Sequence, residues 1–292
     1  MINISKESKC WVCGEGGMSS IKPSDIVKEL DSSDFAITDS QYGKTAEIFL
    51  CHSCGFMQCS NMNDVVKFYE DLEDLEYEES RNARLKQSEK IIKGICKFKT
   101  SGRLLDIGAG SGILVEKATE IGFFAEGLEP SKWLSDQANS RGIPVHNKIL
   151  PIKKMNSSYD VVTLIDVIEH VPNPIEILSQ IHDVLNDDGV GVVVTPDVSS
   201  LMARLLGWKW WHFRFAHIGY FNLSNIELSL NKANLEIIKV ERPSWYFPLD
   251  YLIERVNIYL PRIINIPNFK FASRIIMPLN LGDSLLIYFK RR

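Results

Sequence analysis

The run Leu104-Leu105-Asp106-Ile107-Gly108-Ala109-Gly110-Ser111-Gly112 sets a carboxylate just ahead of three alternating glycines. Glycines let a chain turn sharply and approach a ligand closely, and a helix opening at such a turn offers free N–H groups. Several nucleotide cofactors use a turn of this kind. Here Asp106 suits a ligand with a cationic amino group better than a pyrophosphate, and Glu129, ending the next apolar stretch, is spaced to accept both hydroxyls of a ribose. A second constellation is the pair Cys10-Trp-Val-Cys13-Gly and Cys51-His-Ser-Cys54-Gly, 37 residues apart. Each C-x2-C-Gly knuckle aims two thiolates at one point, and two knuckles supply the four tetrahedral ligands of a structural zinc ion. Two disulfides or four separate buried thiols are the alternatives; the paired spacing and the expected reducing location favour zinc. His52 reads as a bystander, and Cys59 and Cys96 as ordinary thiols.

Two further groups carry polar chemistry. Asp166-Val-Ile-Glu169-His170 brings three titratable groups onto one helical turn, with structural roles expected for Glu169 and His170. The segment 201–221, LMARLLGWKWWHFRFAHIGYF, holds three Trp, three Phe and two His. Aromatic faces beside Arg and Lys suit a sugar ring, a base or a lipid headgroup, although much of such a segment packs over a core.

These residues need a scaffold, and the chain is long enough for one. Its 292 residues, 45% hydrophobic and 24% charged, describe an ordinary folded protein rather than a disordered one. No apolar run reaches the length of a membrane helix, and the first residues lack a secretory pattern, so a cytoplasmic protein is expected. The net charge of −4 argues against a general nucleic-acid binder. It conceals an asymmetry: residues 201–292 carry 13 Lys and Arg against 6 Asp and Glu, a net +7 that leaves −11 for residues 1–200. That basic, aromatic third is a candidate for contact with an anionic substrate or, peripherally, a membrane surface.

Residues 1–62 read as a zinc-ribbon-like module, too small to fold well without its metal. Residues 63–100 read as one or two charged helices forming a linker or lid. From 101 the text alternates: strands at 103–107, 125–128, 159–165, 190–194, 235–240 and 284–288, with helices at 111–121, 131–140, 175–185 and 223–233. Strands and helices of these lengths specify an α/β fold, a Rossmann-like doubly wound and mostly parallel sheet, seven-stranded by analogy with known folds of this kind. Ligands on such sheets sit beyond the carboxyl ends of the strands. Segments 201–222 and 243–282 read as insertions on the substrate side. Prolines 248, 261, 267 and 278 break the latter, leaving 250–258 as a short helix folded onto the core.

LLDIGAGSG, Glu129 and the stretch YDVVTLIDVIEHVPNP together resemble class I S-adenosylmethionine-dependent methyltransferases over about residues 63–292. By that resemblance Asp106, Gly108 and Gly110 border the methionine part of the cofactor, Glu129 holds the ribose, and Asp166 lies near the sulfonium. The acidic adenine partner common in that family is replaced by His146-Asn147-Lys148, so the adenine contact is unassigned. Some methyltransferases bind a divalent metal through Glu-x-x-Glu-His; many with Asp-Val-Ile-Glu-His bind none. His217-x-x-Tyr220 and CHSCGFMQ are similar to segments of zinc-carrying sugar methyltransferases, whose large extra C-terminal domain is not expected in this protein. The chain is closer to shorter zinc-ribbon methyltransferases of surface-polysaccharide pathways. The resemblance implies methyl transfer to a small or glycan acceptor, a sugar hydroxyl, with His217 as general base and Tyr220 beside it, since an unperturbed imidazole titrates near working pH. A ribosomal or transfer RNA methyltransferase and a non-catalytic scaffold docking through its zinc ribbon are the competing readings. A nicotinamide enzyme fits less well, because Asp106 would face a pyrophosphate.

Overall fold

The computed structural model describes residues 4–5, 9–38, 41–59, 62, 64–151, 158–260, 266–267, 269 and 271–292; Asn63 and Pro261 lie outside them. The first 58 residues contribute strands β1 (Ile4–Ser5), β2 (Met18–Lys22), β3 (Ile48–Cys51) and β4 (Met57–Gln58). The charged stretch after them forms three helices rather than one or two: α1 (Val66–Glu70), α2 (Leu75–Glu79) and α3 (Arg81–Ile95). Asp74 breaks the run by capping α2, its carboxylate accepting the Tyr77 N–H at 3.0 Å.

The alternating region follows as expected. It comprises β5 (Gly102–Ile107), α4 (Ile113–Ile121), β6 (Phe123–Leu128), α5 (Lys132–Ser140), β7 (Val145–His146), β8 (Tyr159–Ile165), α6 (Pro174–Val184) and β9 (Leu185–Pro196). Then come α7 (Leu201–Leu206), β10 (Gly219–Tyr220), α8 (Leu223–Lys232), β11 (Leu235–Glu241), β12 (Trp245–Pro248), α9 (Leu249–Tyr259), β13 (Ile276–Leu279) and β14 (Ser284–Arg291). Helix starts obey local chemistry: Ser131, Asn173, Ser200 and Asn222 each cap a helix with a side-chain oxygen, and Pro174 occupies the first turn, where no amide is needed.

Seven strands pair in the order β11-β14-β9-β8-β5-β6-β7. The pairs from β7 through β9 are parallel, and β14 runs antiparallel to both β9 and β11. Both faces are covered by helices, which explains the unbroken apolar text of β8 and β9: Val161, Val162, Leu164, Val192, Val193 and Val194 are all fully buried. Registers Ile107↔Leu128 and Ile107↔Leu164 bring the ends of β5, β6 and β8 level. Asp106, Glu129 and Asp166 therefore meet at the carboxyl edge of the sheet.

The N-terminal module is built into this domain. β10, from residues 219–220, pairs with β4 and completes a five-stranded sheet β1-β2-β3-β4-β10. Cys10, Val12, Cys51 and Phe56 share one apolar core with Phe221, Ile226 and Leu230. Helix α8 holds the knuckles from outside: Asn225 Nδ2 donates to Cys54 O at 2.9 Å, and Lys232 Nζ to Cys13 O at 2.6 Å. Helix α9 folds onto the domain as expected, burying Ile253. No helix among the described residues is long and apolar enough to cross a membrane.

Candidate active site

The turn leaving β5 takes the backbone that its glycines permit, with φ of +72° at Gly108, +54° at Gly110 and +75° at Gly112. The N–H groups of Gly108 and Ala109 both donate to Leu128 O, at 2.8 and 2.9 Å, tying the turn to the end of β6. Glu129 then locks it: Oε2 accepts the Gly110 N–H and Oε1 the Ser131 N–H, each at 2.8 Å. Asp106 Oδ1 accepts from Thr163 Oγ1 at 2.6 Å. Burial pushes the carboxyls of Asp106 and Glu129 up to about 7, against the pull of these hydrogen bonds. Asp166 leaves β8 at φ +52°, a left-handed backbone that Asp tolerates better than most residues. Burial raises its carboxyl to about 7 too, with Arg84 acting in the opposite direction.

These groups line one cavity of about 450 Å³. Its roof comes from the segment read as a linker: Tyr69, Leu72, Tyr77 and Arg84 face the glycine turn across it. A Cβ at Gly110 would lie 2.7 Å from Tyr77 Oη, so the phenol rests on the turn. Arg81 donates to Ser111 Oγ at 3.1 Å and pairs with Glu116, and Ser131 Oγ donates to Leu72 O at 2.8 Å, fastening the lid to the sheet edge. No site residue was expected here, because the dense surface charge of 70–90 hides its apolar inner stripe. Of the unassigned trio, His146 turns away to Glu126 (3.0 Å), Asn147 Nδ2 donates to Glu129 O and Pro130 O, and Lys148 joins Ile149 and Leu150 on the cavity wall.

The same cavity is also lined by Glu169, His170, His212, Arg214 and His217. Residues 201–221 thus contribute His212, Arg214 and His217 to the cavity lining, and His217 is buried at 6% exposure. Its titration does not follow expectation: burial, with His170 and Arg214 nearby, holds it well below the usual imidazole range, so the ring is neutral near pH 7. Tyr220 does not line the cavity. It sits in β10 against Met57, packed in the core of the N-terminal module beside Cys59. Arg214 donates to the carbonyls of Ala36 and Ile37 and so links that module to the active-site wall.

Two groups among the described residues bring metal-ligating atoms together. Cys10, Cys13, Cys51 and Cys54 place four sulfurs within 4.8 Å of one another, with Cys10–Cys54 and Cys13–Cys51 at 3.5 Å. A tetrahedral zinc–thiolate site with bonds of about 2.3 Å separates its sulfurs by about 3.8 Å, so the residues fit the ion. Glu169, His170 and His217 form the second group. Thr195 Oγ1 donates to Glu169 Oε2 at 3.0 Å, and His170 Nδ1 meets Ala216 O at 2.7 Å and Tyr69 Oη at 2.6 Å. These bonds tie β9, α1 and residue 216 together, the structural role expected of Glu169 and His170, and the Arg214 cation beside them disfavours a further positive charge.

A glycine turn locked by a strand-end carboxylate, under a lid and at the edge of a sheet with one reversed strand, defines an α/β nucleotide-cofactor enzyme. Residues 77–240 match the methyltransferase domain family, and the chain belongs to it, carrying an S-adenosylmethionine-dependent methyltransferase domain. Relatives include the ubiquinone biosynthesis O-methyltransferases of Haemophilus ducreyi, 28% identical over 100 residues, and Shewanella pealeana, 32% identical over 95 residues. Each match covers 30% of this chain, and the chain spans only about two fifths (42% and 40%) of these relatives' own length. Among solved structures it is similar to magnesium protoporphyrin IX methyltransferase from Synechocystis PCC 6803, at 12% identity and a TM-score of 0.49, covering 79% of this chain and 96% of that one.

Proposed function

We propose that the protein transfers a methyl group from S-adenosylmethionine to a hydroxyl of a small acceptor, a sugar hydroxyl in polysaccharide or nucleotide-sugar synthesis. The observation that carries this reading is a single cavity lined by Asp106, Glu129 and Asp166 together with His217, His212 and Arg214. Asp106 and Asp166 offer carboxylates to the cationic amino and sulfonium groups, Glu129 to the ribose hydroxyls, and Gly108 and Gly110 the close backbone approach. Ile149 and Leu150 supply apolar walls for the adenine that the trio at 146–148 left without a partner. The cofactor when bound supplies an electrophilic methyl. What the chain supplies is alignment, since an in-line displacement needs the nucleophile about 3 Å from that methyl in a site closed to water. The lid residues Tyr69 and Tyr77 support such closure. Aromatic residues of 201–221 and of α9 support a ring-shaped acceptor, and the net charge of −11 over residues 1–200 weighs against RNA. Four cysteines at zinc-ligand spacing support a structural Zn2+.

His217 is the proposed base. A neutral imidazole has a lone pair ready for the hydroxyl proton, and a positioned base contributes about 10²–10⁴-fold. His217→Ala is therefore expected to lower kcat by about two orders of magnitude while the cofactor dissociation constant stays within twofold. Undiminished turnover would remove His217 from this role. Because burial keeps the ring neutral, the rate should show no histidine ionisation between pH 6 and 8 that disappears in the variant.

The raised carboxyls give a pH prediction. Asp106 and Glu129 ionise at about 7 in the folded chain, against 3.8 and 4.5 for the free groups. Between these values the folded state holds more protons than the unfolded one, so the stability of the ligand-free protein falls as pH rises from about 4 to about 7. A cationic ligand prefers the ionised carboxylates. Cofactor affinity, followed by calorimetry, should strengthen from pH 6 to pH 8; a flat profile would contradict Asp106 and Asp166, both ionising at about 7, as partners of its cationic groups.

A further inference from the structure

A second cavity of about 350 Å³ opens beside the first and shares Asp166, His212 and Arg84 with it, so the two meet where the methyl group would be transferred. Its walls are aromatic: Tyr42, Trp211, Trp245, Phe247 and Tyr251 all face it. Arg255, from α9, lines this cavity and not the first. Its guanidinium lies 4.5 Å above the Tyr251 ring and 5.5 Å above that of Tyr42, and one arm donates to Thr38 O at 2.8 Å. The Nε is buried without a partner. Arg255 forms no ion pair with a described carboxylate; the exposed Glu76, which also lines the cavity, acts on it only at longer range.

A partly buried cation without a close counter-charge is costly, and a guanidinium set over two aromatic rings still offers N–H donors suited to paired oxygens. The carboxylates Asp166 and Asp283 also line this cavity, with Asp166 at the junction and Asp283 held by Trp210 Nε1 and His212. At the junction Asp166 is offset by Arg84, so the net pull on an anionic tail comes from Arg255 at the far end, which leaves the uncharged end of the acceptor at the methyl. We propose that this second cavity is an anchoring subsite for a phosphate-bearing acceptor: Arg255 grips the phosphate oxygens, the aromatic walls hold a flat base or sugar ring, and the acceptor is a nucleotide-linked one. The proposal rests on the methyl-transfer reading and narrows its substrate class.

The test uses the full chain and tryptophan fluorescence, since Trp211 and Trp245 line the cavity. The probes are ADP, GDP, UDP and dTDP, with uridine and 4-hydroxybenzoate as the arms lacking phosphate. At least one nucleoside diphosphate should quench the wild type saturably. Arg255→Met should weaken it roughly 10–100-fold, the worth of a charged hydrogen-bonded contact. Arg255→Lys should fall between, and uridine should bind weakly and equally to all three. Cofactor affinity in the same samples should be unchanged by either variant. Equal diphosphate binding by Arg255→Met, no diphosphate binding by the wild type, or Arg255-dependent binding of 4-hydroxybenzoate alone would each overturn the proposal. Failure to bind S-adenosylmethionine would instead overturn the methyl-transfer reading beneath it.

Discussion

Glu129→Ala is expected to bring cofactor binding below detection by calorimetry. The side chain has two tasks, and truncation ends both. Its oxygens accept the N–H groups of Gly110 and Ser131, so the alanine variant leaves two buried donors without partners. Each orphaned donor costs about 1–3 kcal/mol, spent either as lost stability or as a turn that reshapes to find water. The same truncation removes the carboxylate offered to the ribose. Together these should weaken affinity by more than 100-fold and lower the melting temperature by several degrees. Glu129→Gln separates the tasks: its amide oxygen still accepts one N–H while its nitrogen opposes the other, so affinity should fall less and the fold should hold. Binding by Glu129→Ala within threefold of wild type would show that the turn does not depend on this residue.

Loss of the zinc ion proposed at the four cysteines should have the largest effect on the fold. Cys10 and Cys51 are buried in the same apolar core as Phe221, Ile226 and Leu230, so the knuckles close the main domain rather than hang from it. One zinc per chain is expected by elemental analysis. Structural zinc in small peptides is worth on the order of 10–16 kcal/mol, and even a third of that would shift the melting temperature by about 10 °C in a chain of this size. Cys51→Ser, or prolonged treatment with a strong chelator, should produce that shift. It should also abolish turnover, because β4 would release β10, which begins two residues after His217. Metal-free protein with unchanged melting and activity would mean that the thiols merely pack.

The parts of the site legible in the sequence are those set by local backbone chemistry. Gly108 and Gly110 announce a positive-φ turn, Glu129 and Asp166 end apolar runs long enough to be strands, and the cysteine spacing is self-evident. Each needs only its neighbours to be interpreted. What stayed hidden depends on distant packing. Tyr69, Tyr77 and Arg84 lie in a stretch read only as a charged helical linker or lid, with no site residue named in it, yet one face of it lines the cavity. Tyr220 looked like a companion of His217 at three residues' distance, but a two-residue strand alternates its side chains, and pairing with β4 turns Tyr220 into the module's core. The depressed titration of His217 likewise reflects burial among His170, His212 and Arg214, which no spacing reveals. The zinc module read as separate because the strand completing its sheet comes 160 residues later.

The most direct test offers methyl-labelled S-adenosylmethionine to the purified protein with three separate pools: nucleotide sugars, extracted glycolipid and polysaccharide, and total RNA. Label is expected in a carbohydrate pool, foremost the nucleotide sugars, and should vanish in Glu129→Ala and fall sharply in His217→Ala. Label confined to RNA, or a wild-type chain that binds no S-adenosylmethionine at all, would contradict the account.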